Sequence, residues 1–166
     1  MDKQEIDKLL QELGRVYDQL HGPKLEIGIC GEAALILMDL VPRATKDVDL
    51  LYPLTLPPQF IEATKIIAET YGLPKNWINQ GPKDLFSMGL PNDFQKRAAK
   101  KRLGKKLTAH LAGRRDQIFF KLYASADRAG YHVDDLKRLQ PTEEELIAAA
   151  NWCQTHDPSA GFSQIL

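Results

Sequence analysis

The chain has 166 residues, 43% of them hydrophobic, with 22 basic and 22 acidic side chains and a net charge of zero. That length suits one domain with a real core, and no apolar run reaches the length of a transmembrane helix. The polar start Met1-Asp2-Lys3-Gln4-Glu5 has no secretory core, and two cysteines, Cys30 and Cys153, build neither a disulfide framework nor a Cys-based metal site.

Residues 5–20 place Ile6, Leu9, Leu10, Leu13, Val16, Tyr17 and Leu20 at helical spacing, and His21-Gly22-Pro23 ends that helix. Leu25–Cys30 reads as a buried strand, 32–40 as an apolar helix stopped by Pro42, and Asp47–Tyr52 as a second strand. A helix over 59–71 follows the Pro53/Pro57/Pro58 cluster. The stretch 72–92, broken by prolines and glycines, reads as irregular. Then come a short basic helix over 94–102, a strand over 106–111, an apolar helix over 118–128 and a short helix over 133–139. Thr142 caps a last helix, with Glu145 completing a capping box. The expected fold is α/β (α+β): a small mixed sheet with flanking helices and a helical C-terminal half. One domain is expected over 1–166, with its core at about 22–112 and the helical part at about 114–155.

Charge is unevenly spread. Nine basic residues and no acid lie between Phe94 and Arg115, so the remainder carries nine more acids than bases. Lys100, Lys101 and Arg102 are candidate RNA-backbone contacts; the competing reading is a solvated face.

Asp47 and Asp49 are two apart on a predicted strand, so both carboxylates share a face, roughly 6–7 Å apart along the chain. Such a pair repels itself unless a cation intervenes, and hard oxygen ligands favour Mg²⁺ or Mn²⁺ together with substrate phosphates. Upstream, Gly31 lies between a strand and a helix, where free N–H groups can hold phosphate.

Gly31-Glu32-Ala33-Ala34-Leu35 followed by Arg43-Ala44-Thr45-Lys46-Asp47-Val48-Asp49 resembles the polymerase-beta-type nucleotidyltransferases. The bacterial branch near the abortive-infection toxins of toxin–antitoxin systems is the nearest in pattern. Lys121-Leu122-Tyr123-Ala124, Asp127-Arg128, His132 and Asp135-Leu136 resemble that branch's helical segment. Trp77-Ile78-Asn79, Pro141-Thr142 and the segment from Trp152 to Ser159 are similar to a subfamily described only as nucleotidyltransferase-like. The resemblance implies the nucleotidyltransferase fold and transfer of a nucleotidyl group from an NTP to RNA, a protein hydroxyl or a small molecule. It implies nucleotide as partner, with RNA or a cognate protein as further partners; the polar start and the lack of a long apolar run add the expectation of a cytoplasmic protein with no membrane association.

On this resemblance Asp47, Asp49 and Lys121 are the catalytic candidates, with Asp47 and Asp49 as metal ligands. Gly31, Glu32, Arg43 and Thr45 are the nucleotide-binding candidates. Lys121, set in an apolar run, either offsets phosphate charge or pairs with Asp134 or Asp135. Arg43 either binds phosphate or pairs with an acid. Two departures stand out. Glu32 replaces the second Gly or Ser of the turn and is expected at the cleft edge, weakening nucleotide binding in the metal-free protein. The third acid of active relatives is missing from 106–111, leaving Asp116 and Asp84 as substitutes. The alternative function is a catalytically degenerate module that binds nucleotide, RNA or a protein partner.

Overall fold

The computed structural model describes residues 1–128 and 131–165, with the side chains of 127, 128 and 131 left aside. Asp127 and Arg128 therefore lie outside the described side chains. The sheet has five strands in the order β3-β2-β1-β5-β4. Its centre is β1 (Leu25–Cys30), antiparallel to β2 (Val48–Tyr52) and parallel to β5 (Leu107–Leu111). The edges are β3 (Ile78–Asn79), parallel to β2, and β4 (Ala99–Arg102), antiparallel to β5. This is the mixed sheet expected, with helices packed around it.

Alternation divides the sheet into two faces. Ile27, Ile29, Leu50, Leu107, Ala109 and Leu111 are buried on the side of α1 (Lys3–Gln19). That helix opens with a capping box between Asp2 and Glu5 and buries Ile6, Leu9, Leu10, Leu13, Val16 and Tyr17. Each such side chain contributes about 1.5–3 kcal/mol when fully removed from water. Against α1 pack α2 (Gly31–Leu37) and α3 (Pro58–Tyr71), the latter ending at left-handed Gly72.

The opposite face carries the polar groups. The β1–β2 register shifts by one residue, so that Gly28 pairs with Tyr52 but Cys30 with Asp49. This bulge brings Asp49 and Tyr52 onto one face, where regular alternation would separate them. The Tyr52 ring lies against Gly28, where an added Cβ would meet ring carbon at 2.2 Å. A short helix, α4 (Lys83–Ser87), caps this end of β2, with Phe86 and Tyr52 ring centroids 5.4 Å apart. The C-terminal half is helical: α6 (Arg114–Arg128), α7 (Tyr131–Arg138), α8 (Glu143–His156) and α9 (Ala160–Ile165). Thr142 and Glu145 form the expected capping box of α8.

The expected basic helix over 94–102 is corrected. Only α5 (Phe94–Arg97) is helical; Ala98 is extended and 99–102 is strand β4. A polar edge strand shows no apolar alternation, and its lysines are what an edge tolerates. The segment 72–92 contains β3 and α4, and α6 begins four residues earlier than expected, at Arg114. Among the described residues no helix is long and apolar enough to cross a membrane.

Candidate functional site

Asp47 immediately precedes β2, after a bend at Lys46, and Asp49 is the strand's second residue; both are half-buried. The Thr45 hydroxyl bonds the Asp47 carbonyl at 3.2 Å and lies 3.5 Å from its Oδ1, which fixes the approach to the strand. The Asn79 amide on β3 donates to Asp47 Oδ2 at 3.2 Å, and its Oδ1 accepts the Gly81 N–H at 2.8 Å. Burial, then the neighbouring Asp47 charge, raises the Asp49 carboxyl above its ordinary value; Asn79 and Lys121 pull it back only in part.

Gly31 adopts φ +67°, and a Cβ built there would sit 2.6 Å from Asp49 Oδ2. The position requires glycine twice over, for its conformation and for the carboxylate lying against it. Its own N–H is spent: it donates to Gln117 Oε1 at 3.2 Å, while Gln117 Nε2 returns a bond to the Gly31 carbonyl at 3.2 Å. Gln117 is fully buried in α6 and locks the α2 entry to that helix. Cys30, next to Gly31, is buried, and desolvation followed by the Asp49 charge pushes its thiol well up, which leaves it an inert small apolar group.

The two candidate cations converge on a third acid. Lys121 Nζ lies 2.6 Å from Asp135 Oδ2, and Arg43 Nη2 lies 2.5 Å from Asp135 Oδ1. Arg43 Nε also faces Glu32 Oε1 at 2.9 Å, an ion pair with poor hydrogen-bond alignment. Burial alone would raise the Asp135 carboxyl, but the hydrogen bonds from Lys121 and Arg43 outweigh it and hold it low. Among the described side chains Glu32, Asp47, Asp49 and Asp135 thus set four carboxylates against the two cations Arg43 and Lys121, an excess of two negative charges. Beside them is a cavity of about 110 Å³ lined by Gly31, Asp49, Gln117, Lys121, Leu85 and His132.

The substitutes for a third acid lie elsewhere. Asp116 is fully buried but holds Arg97 in two bonds of 2.6 and 3.1 Å, and Asp84 is exposed in the first turn of α4. Among the described residues no group of three or more His, Cys, Asp and Glu could hold a metal ion. The oxygen donors present still suit Mg²⁺, which commonly takes one or two carboxylates and fills its shell with water and substrate phosphates.

The basic candidates divide between the two sheet faces. Lys101 points to α1 and pairs with Asp7 at 2.8 Å, whereas Lys100 and Arg102 are exposed on the Asp49 face, paired in register with His110 and Thr108. Asn79 and Gln117 have no place among the sequence-based candidates. Their signals were faint: an Asn-x-Gly turn, and one amide inside an apolar helix.

No curated protein and no solved structure matches the chain. A family model described as "Nucleotidyltransferase of unknown function (DUF6036)" matches residues 4–147. That span takes in the glycine turn, both strand aspartates, Lys121 and Asp135, and the chain belongs to this nucleotidyltransferase family.

Proposed function

We propose that the chain is a metal-dependent enzyme that transfers a nucleotidyl group from an NTP to an acceptor hydroxyl. The observation that carries this reading is the excess of two negative charges around Asp49, whose carboxyl is already raised by burial and by Asp47. A divalent cation is the species that relieves it. Asp47 and Asp49 hold Mg²⁺ or Mn²⁺, which supplies Lewis-acid polarisation of the phosphoryl oxygens. In the reaction an acceptor oxygen bonds to the α-phosphorus, its proton passes to solvent or a base, and pyrophosphate leaves. Thr45 keeps Asp47 in place, and Gly31 leaves room for Asp49. The cavity of about 110 Å³ accommodates a phosphate group, with sugar and base outside it. The sequence resemblance over 43–51 and 121–136 further supports kinship with the toxin branch, with an RNA end as acceptor and a cognate protein as partner.

A second reading, a degenerate binding module, draws on the commitment of Lys121 and Arg43 to Asp135. One screen separates the two: labelled NTPs with Mg²⁺ or Mn²⁺, offered total RNA and protein. Covalent label on any acceptor, lost in Asp49→Asn, supports the enzyme. Nucleotide binding without transfer supports the module.

Glu32 supplies a sharper test. A carboxylate about 4 Å from a phosphate costs roughly 4 kcal/mol per charge pair at an effective dielectric near 20, and Arg43 offsets part of that. Glu32→Ser is expected to tighten metal-free ATP binding about tenfold, read by calorimetry, because the repelling carboxylate is gone and Arg43 Nε is released while Nη2 stays on Asp135. Unchanged affinity would make Glu32 a bystander; loss of Mg²⁺ binding would make it the third acidic ligand.

If RNA is the acceptor, Lys100 and Arg102 on the Asp49 face contact its backbone. Removing both contacts from a single-stranded RNA complex is expected to reduce the slope of log affinity against log salt by about 1.4. Lys101→Glu should leave the slope unchanged, since Lys101 serves Asp7 on the other face. Equal effects from all three residues would contradict this division.

A further inference from the structure

We propose that a second cleft, between residues 88–92, α6 and α8, binds a small anion carrying a flat ring, of the size and chemistry of a nucleoside monophosphate. Its volume of about 470 Å³ is some four times that of the cavity at Asp49, at about 110 Å³. It falls within the range of small-molecule sites, about 300–1,000 Å³.

The walls define the ligand. Arg97, Arg115 and His156 line the cleft, and no carboxylate does among its described lining residues. Arg115 is exposed at its rim and forms no ion pair among the described residues. Arg97 gives Nε and Nη2 to Asp116, which anchors it, and its Nη1 makes no hydrogen bond among the described residues. An anchored guanidinium together with an exposed one, which feels Glu145 but forms no direct ion pair among the described residues, suits a phosphate or carboxylate. Leu90, Pro91, Phe119 and Trp152 give the cleft apolar lining, with the tilted His156 ring centroid 4.1 Å from that of the indole. Asn92 and Asn151 add amides that can orient a heteroaromatic edge. The Trp152 indole N–H is buried and meets no acceptor among the described residues.

This cleft is separate from the Asp49 site. Phe119 faces the cleft, while Phe120 and Lys121, the next residues of α6, line the Asp49 cavity. Residues 88–92 follow directly on α4, whose Leu85 lines the smaller cavity, and His156 Nε2 meets the Gly89 carbonyl at 2.9 Å. A ligand here would brace the segment that covers Asp49.

The test is titration of AMP in metal-free buffer, followed by calorimetry and tryptophan fluorescence. Trp77 is 1% exposed and its N–H is bonded to the Thr64 carbonyl, so Trp152 carries the optical change. Saturable binding is expected, weakened about tenfold by Arg115→Gln and unchanged by Asp49→Ala, with inorganic phosphate alone binding about tenfold more weakly. Three results would overturn the proposal. They are no saturation by about 10 mM AMP, binding lost in Asp49→Ala but kept in Arg115→Gln, and equal affinity for inorganic phosphate.

Discussion

Asp49→Asn is expected to lower nucleotidyl transfer at least about a thousandfold while making the protein more stable at neutral pH. The loss follows from removing one of two carboxylates that hold the cation, an interaction worth several kcal/mol at the transition state. The gain follows from the crowding of the site. Asp49 is held above its ordinary value of 3.8 by burial first and by Asp47 second. A carboxyl raised on folding keeps its proton over a range where the unfolded chain has lost it. Its charge therefore costs nothing below the ordinary value, and the cost grows as pH rises through the folded value. Asparagine carries no such charge. The variant should therefore melt above the parent at neutral pH, and the difference should fade in acid. Adding Mn²⁺ should raise the Tm of the parent protein and leave the variant unmoved, because only the parent gains by binding the ion. A variant less stable than the parent at neutral pH, or still responsive to Mn²⁺, would remove Asp49 from the metal site.

The parts of this site that were legible in the sequence are local ones. Leu25–Cys30 coincides with β1, and the Asp47–Tyr52 reading is one residue longer than β2, because apolar runs bounded by Gly, Pro and charge mark buried strands well. Gly31 was legible as a turn before a helix. What it does there, lying under Asp49 with its N–H given to Gln117, depends on a contact 86 residues away. Likewise Lys121 was legible as a lysine with no business in an apolar run, and Asp135 as one of two candidate partners. That Arg43 shares the same carboxylate follows from how α7 docks, which no local pattern encodes. The bulge between Gly28 and Ile29 was hidden for the same reason: it is a property of the pairing of two strands and not of either one. The basic segment misled because a charged edge strand and a charged helix share one composition. Only the partner strand β5 decides between them.

Asp135→Ala is expected to produce the largest loss of stability. Asp135 is 6% exposed and faces Lys121, 9% exposed, at 2.6 Å, with Arg43 at its other oxygen. Removing one member of a buried pair costs about 3–5 kcal/mol, since the remaining charge stays in a poorly solvated place. For a chain of this size about 3 kcal/mol corresponds to roughly 6–12 °C in Tm. The pH dependence runs opposite to that of Asp49. Burial would raise the Asp135 carboxyl, but Lys121 and Arg43 hold it below its ordinary 3.8. Its contribution is therefore complete above that value and disappears as pH falls through the lower folded one, so parent and variant should converge in strong acid. The double variant Asp135→Leu, Lys121→Met removes both charges and should recover most of the loss, because an apolar pair of similar volume replaces a buried ion pair at little cost. Calorimetric melting across pH checks all three statements. If Asp135→Ala melts with the parent at neutral pH, or the double variant melts no higher than the single one, then α7 is held by its apolar packing and not by the Lys121–Asp135–Arg43 cluster.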